Sequence, residues 1–104
     1  EKIMNAAAFA KMRDGAFFIN TSRGGVVNEV ALAKAIDSGM IAGAALDVLC
    51  VEPQSPDCPL VAGDRLIITP HVAWTPLETR QRLVGTVAAN IENFLAGHPT
   101  NKVN

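Results

Sequence analysis

The chain is short of charge, and neither sign prevails. Of its 104 residues only 18% are charged, nine basic against ten acidic, for a net charge of -1 at pH 7. That balance excludes a general electrostatic grip on nucleic acid or on an anionic membrane surface. Long apolar runs are missing as well, and none approaches the ~20 residues that a membrane span needs. No signal-peptide pattern is present. The chain opens Glu1-Lys2 without an initiator methionine and reads as a piece of something longer. Cysteine is scarce: Cys50 and Cys58 make no disulfide framework, and they read as free thiols in a reducing cytoplasm. There is no Cys-x-x-Cys pair. The spacing of Cys50, Cys58, His71 and His98 supports no metal site. Ser22 lacks the Gly-x-Ser-x-Gly frame of a hydrolase nucleophile. Internal repeats and low-complexity segments are absent too.

What is there is apolar. Hydrophobic residues make up 49% of the chain and the mean hydropathy is +0.22. That is ample material for the core of one small domain, and the length leaves no room for two. Asn5 to Met12 reads as a short helix, capped by Asn5 and ended by Gly15. Ala16–Asn20 is a short apolar run with aromatic and β-branched residues, which fits a strand buried on both faces. Thr21-Ser-Arg-Gly-Gly25 is a polar turn, read as one that lets a substrate approach the backbone. Asn28 caps a second helix through Asp37, with Val30, Leu32, Ala33 and Ile36 on or near one face and Gly39 as its stop.

Ala42–Val48 is a second buried-strand candidate. Pro53, Pro56 and Pro59 exclude regular structure from the stretch 49–64. Arg65–Thr69 is a third strand, stopped by Pro70. The last element is a long helix, with Thr75 as N-cap, Pro76 at the first helical position and Glu78 completing a capping box. Its apolar residues from Leu83 to Leu95 recur at helical spacing, and Gly97 and Pro99 end it.

Alternation of strands and helices in this order means α/β architecture with a parallel sheet. Such a sheet places its ligand at the carboxyl ends of its strands. Arg23, Asp47, Glu52 and His71 should therefore lie along one rim. Arg clamps a carboxylate through two parallel hydrogen bonds. His exchanges protons near neutral pH, and a Glu beside it stabilises the imidazolium. The rim suits a small anionic substrate. Spacing alone equally allows solvated rim charges and a structural histidine.

Four stretches carry a more specific signal: Met12-Arg-Asp-Gly-Ala-Phe-Phe-Ile-Asn-Thr-Ser-Arg-Gly-Gly25, Gly43-Ala-Ala-Leu-Asp-Val48, Glu52-Pro53 and Ile68-Thr-Pro-His-Val-Ala-Trp74. In order and in register, they resemble the D-isomer-specific 2-hydroxyacid dehydrogenases, most of all the glycerate dehydrogenase/hydroxypyruvate reductase branch. The resemblance implies the C-terminal part of a Rossmann-type, parallel-sheet dinucleotide-binding domain that ends in a long helix. Residues 1–75 would be the C-terminal half of an NAD(P)-binding domain, and 76–104 a helix and tail crossing back toward a substrate domain. It implies Arg23 as substrate-binding and catalytic, His71 as the acid/base and Glu52 as the partner of that histidine. Thr21, Ser22, Asp47 and Ala73 would face the nicotinamide, and Trp74 either lines the substrate pocket or packs. The cofactor would be NAD or NADP, with NAD preferred. The substrate would be a small 2-oxo or 2-hydroxy acid, hydroxypyruvate/D-glycerate foremost, and the full-length protein a cytoplasmic homodimer.

The Gly-x-Gly-x-x-Gly loop of that family has no counterpart in these 104 residues. The piece alone is therefore expected to be inactive. A second implied reading is a non-catalytic, NAD-binding regulatory module of the corepressor kind on the same scaffold.

Overall fold

A computed structural model describes residues 2–61 and 63–103. The elements run α1 (Ala6–Phe9), β1 (Ala16–Asn20), a short 3-10 turn (Gly24–Val26), α2 (Glu29–Asp37), β2 (Ile41–Leu46), β3 (Leu66–Ile68) and α3 (Leu77–Leu95). They fall into two compact units, with the break after Val72.

The first unit is a three-stranded parallel sheet in the order β1-β2-β3. Ile19 pairs with Ala45 and Ala45 with Ile67, so these three residues form one line across the sheet. Asn5 and Asn28 cap their helices, each accepting a 3.1 Å hydrogen bond from the amide three residues on. Gly39 stops α2 at φ 77°, a left-handed backbone that glycine adopts without steric cost, whereas α1 ends at Phe9 with Ala10 as its C-cap, short of the expected Met12 and well before Gly15. Arg65, just ahead of β3, donates from its guanidinium to the Ile36 carbonyl in the last turn of α2, where a cation also suits the helix dipole.

The core lies on one face of the sheet. Phe9, Val27, Leu32 and Ile41 are its largest fully buried side chains, and burial of each contributes roughly 1.5–3 kcal/mol. Phe9 meets Phe18 edge to face, with ring centroids 5.3 Å apart. The buried stripe of α2 is Ala31, Leu32, Ala35 and Ile36, whereas Val30 is exposed. Val30 lies two positions before Leu32, well round the helix from that stripe.

The opposite face is open. Phe17 is 73% exposed, Ile19 70% and Ile67 66%. The expectation of a strand buried on both faces therefore fails for β1 within this unit: alternate residues turn to the core, and the others meet no second layer among the described residues of the same unit. β2 begins one residue before the expected start and ends at Leu46, where its last pair with Ile68 is made.

The second unit is built on α3. Its first helical residue is Leu77, which puts Pro76 rather than the expected Thr75 in the N-cap position, without a side-chain cap hydrogen bond from Pro76. Gly97 ends the helix at φ 81°. No residue of α3 is buried, and its apolar face of Leu83, Val87, Ile91 and Phe94 is exposed. Among the described residues no helix is long and apolar enough to cross a membrane.

Candidate active site

Each strand hands over to polar residues at its carboxyl end, and hydrogen bonds hold these in place. At the end of β1 the side chain of Asn20 is buried and organises the turn that follows. Its Oδ1 accepts from the Ser22 amide at 3.0 Å and from Ser22 Oγ at 2.8 Å, and its Nδ2 donates to the Arg23 carbonyl at 3.0 Å. This is the geometry of an Asx turn. An Asn directly before Thr-Ser at a strand end is the signal that would have marked it. Arg23 Nη1 donates to the Ser22 carbonyl at 2.7 Å. Among the described residues the guanidinium has no carboxylate partner.

At the end of β2, Asp47 is buried at 5% exposure. Its amide donates to the Asn20 carbonyl at 2.9 Å. Its Oδ1 accepts from Thr69 Oγ1 at 2.5 Å and from the Val72 amide at 2.9 Å. Asp47 is thus a knot that ties all three strand ends together.

At the end of β3, Pro70 leads into His71, which sits at φ 57°. A left-handed conformation costs a residue with a Cβ about 1–2 kcal/mol. Such backbone strain gathers at functional positions. His71 Nδ1 lies 2.8 Å from Glu52 Oε2. The other oxygen, Oε1, accepts from the Leu49 amide at 2.9 Å. The hydrogen bond from His71, followed by that from the Leu49 amide, holds the Glu52 carboxyl below its usual range. Both side chains remain about 40% exposed, so this carboxylate faces solvent and meets the ring at Nδ1. Nε2 is left as the ring atom for proton exchange.

Asp47, Glu52, Thr69, Pro70 and His71 line a cavity of about 490 Å³, with Leu49 and Ile68 among its apolar walls. The structure brings Asp47, Glu52 and His71 together there. Thr21, Ser22 and Arg23 follow the neighbouring strand end and are not part of its lining. Ala73 and Trp74 belong to the second unit, and Trp74 is 56% exposed.

Gly24 is held tightly on one side. A Cβ there would lie 2.0 Å from the carbonyl carbon and oxygen of Leu49, so the chain's own Leu49–Cys50 peptide packs against it, whereas the space beside Gly25 is open. Sequence reasoning also passed over Glu29, whose carboxylate accepts from the Cys50 amide at 2.7 Å.

With this geometry in view, comparisons with known proteins are specific. The family model of the D-isomer-specific 2-hydroxyacid dehydrogenase NAD-binding domain matches residues 1–73. The chain is 45% identical over 104 residues to the hydroxypyruvate reductase of Blautia hydrogenotrophica, covering all of this chain and 32% of that protein. It is 42% identical to the glycerate dehydrogenase of Methylorubrum extorquens, covering 99% of this chain and 33% of the relative. A D-isomer-specific 2-hydroxyacid dehydrogenase from Xanthobacter autotrophicus Py2, solved with NADPH and MES, superposes with a TM-score of 0.74 at 41% identity, over 99% of this chain and 42% of that one. The chain spans about a third of the length of the curated relatives it matches.

Proposed function

The chain belongs to the D-isomer-specific 2-hydroxyacid dehydrogenase family, and from that premise we propose that the full-length protein interconverts a small 2-oxo acid and its D-2-hydroxy acid, with hydroxypyruvate/D-glycerate as the first pair to test. The observation that carries the reading is the Glu52–His71 pair at 2.8 Å, seated in a cavity at the carboxyl ends of parallel strands. Glyoxylate reductases stand among the relatives as well. The substrate class is therefore small 2-oxo acids, of which hydroxypyruvate is one.

The residues present fit the nicotinamide end of a dinucleotide. The cavity combines apolar walls at Leu49, Ile68 and Pro70 with a few convergent polar groups, as a ring lying beside a small acid requires. Thr21, Ser22, Asp47 and Ala73 are the residues proposed to hold it. When bound, reduced NAD or NADP supplies the hydride. The Xanthobacter structure carries NADPH, and a related structure from Sinorhizobium meliloti carries NADP.

The chain's own groups do the rest. Arg23, exposed and without a carboxylate partner among the described residues, clamps the substrate carboxylate and draws charge toward the carbonyl at C2. His71 gives the proton on Nε2 to the C2 oxygen as it becomes an alkoxide, and in the oxidative direction the neutral ring takes that proton back. Glu52 holds Nδ1, keeps the ring oriented and balances the imidazolium charge. We also propose Trp74 as a substrate-side residue, α3 as the segment that leads toward the substrate domain, and a homodimer as the full-length assembly.

The test is loss of reduced-nicotinamide absorbance in the full-length protein with hydroxypyruvate, glyoxylate and pyruvate, using NADH and NADPH in turn. Turnover with at least one of them is expected. In Arg23→Gln, KM rises and kcat falls together, for a combined loss of about 100-fold in kcat/KM, equivalent to about 2.7 kcal/mol of transition-state stabilisation. Tight NADH binding without turnover of any of the three acids would overturn the proposal.

A further inference from the structure

The Glu52–His71 pair poses a mechanical question. Both side chains are about 40% exposed. Exposed ion pairs contribute little by themselves, because two long side chains lose rotamer freedom to hold one geometry. Something other than burial must aim this carboxylate. The structure offers one connected set of contacts that does so.

Glu52 reaches back to the Leu49 amide, closing a tight turn over residues 49–52, with Oε1 on that amide and Oε2 on the imidazole. The direction of the carboxylate is thus set by the backbone at Leu49 and Cys50. That peptide is gripped by two elements distant in sequence. Its N–H, at Cys50, donates to Glu29 Oε1 at 2.7 Å, a short charge-assisted bond from the first residue of α2. Its carbonyl carbon and oxygen are met so closely by Gly24 that no Cβ would fit. The Cys50 thiol adds contacts to the carbonyls of Gly24 at 3.4 Å and Val27 at 3.6 Å. Desolvation and the neighbouring Glu29 carboxylate push that thiol above its ordinary range, so it stays protonated and can donate.

We propose that Glu29 is a positioning residue for the acid/base pair: by holding the Leu49–Cys50 peptide, it sets the turn from which Glu52 reaches His71. The inference rests on reading His71 as the acid/base. Glu29 touches neither histidine nor cavity polar groups in this arrangement, and it acts through one peptide. Because Gly24 follows Arg23 directly, the same peptide also registers the arginine turn against the glutamate turn. The residues argued to bind substrate and to move the proton are thereby referenced to one structural element.

The experiment uses the full-length protein with Glu29→Ala, Glu29→Gln, Glu52→Gln and the double variant Glu29→Ala/Glu52→Gln. The carboxyl carbon of Glu52 is followed by NMR titration, which needs no substrate. In the unsubstituted protein it titrates below the ordinary carboxylate value of 4.5. In Glu29→Ala the midpoint moves up toward that value, because both the Leu49 and His71 hydrogen bonds loosen. Turnover of hydroxypyruvate falls about 10- to 100-fold in kcat with KM little changed, the cost expected of a misplaced catalytic group. Glu29→Gln retains most of the rate, since its amide oxygen still accepts from Cys50. The double variant is no slower than Glu52→Gln alone, because the two act in series.

A Glu52 midpoint unmoved in Glu29→Ala would overturn the inference, as would losses that multiply in the double variant. If Glu29→Ala does not fold, Glu29→Asp, which withdraws the carboxylate by one methylene, is read in the same way. If the unsubstituted protein reduces no 2-oxo acid, the functional reading fails while the titration still decides the positioning role.

Discussion

The covered face of the sheet and the carboxyl-end rim are built by different physics. On the covered face Leu32 and Ile41 are fully buried among other apolar side chains. Their placement depends on area removed from water and tolerates modest changes of shape. At the rim Glu52 and His71 stay half in solvent and are placed by directed hydrogen bonds through Leu49. Burial therefore holds the scaffold together, and geometry aims the chemistry. Damage to one region should show mainly in stability, and damage to the other mainly in rate.

The strongest way to break this division is at Leu32. Leu32→Ala removes a side chain with no exposed surface from the centre of the α2 interface. Transfer and cavity costs together should lower stability by about 2–5 kcal/mol, read by urea unfolding of the full-length protein. Below its unfolding transition, the variant should keep a kcat/KM within about threefold of the unsubstituted protein, a difference under ~0.7 kcal/mol. A large loss of rate at full occupancy of the folded state would show that the core also aims the rim.

Glu52→Gln makes the converse test. The pair is exposed, so stability at neutral pH should change little. The rate should fall about 10- to 100-fold, because the imidazolium loses the charge that balances it. The pH dependence has a definite sign. The folded protein holds the Glu52 carboxyl below its unfolded value. Its stabilising contribution is complete above the ordinary value of 4.5 and is lost as the pH falls through the lowered folded value. Between those limits the unsubstituted protein should lose stability more steeply with falling pH than Glu52→Gln does. Parallel acid-unfolding curves would mean that the pair does not form in solution.

The two regions also differ in how far they were legible from sequence. Local signals were sufficient for the scaffold. The bounds of β1 and α2 followed from an apolar run and from caps at Asn28 and Gly39, and the structure places them where the residues indicated. Where a strand ends depends on its neighbours, which is why β2 stops at Leu46 with its last partner Ile68 rather than at Val48. The side on which Phe17 and Ile19 would remain exposed was not legible at all, since an apolar run does not say how many layers cover it.

At the rim, residue types at strand ends pointed to Glu52 and His71, and the structure pairs them. The contacts that hold them in place were invisible. Glu29 and Cys50 lie 21 residues apart, and no periodicity connects a helix start to a loop amide. Gly24 looked like ordinary turn chemistry until the neighbouring Leu49 backbone was seen against it. Long-range backbone contacts of this kind carry no composition of their own.

The smallest expected effect tests the uncovered face. Ile67 is 66% exposed and stands at the end of the line Ile19–Ala45–Ile67. Ile67→Thr keeps the branched Cβ that suits a strand, so it removes apolar surface with little change in β-propensity. If the face is as open in solution as in the structure, the 104-residue chain should change in stability by no more than about 0.5 kcal/mol. Denaturant unfolding at two protein concentrations reads this. A loss above ~1 kcal/mol that also depends on concentration would mean that this face is buried between copies of the chain. Phe17, Ile19 and Ile67 would then belong to the same physics as Leu32, and the contrast that matters would lie between face and rim rather than between the two faces.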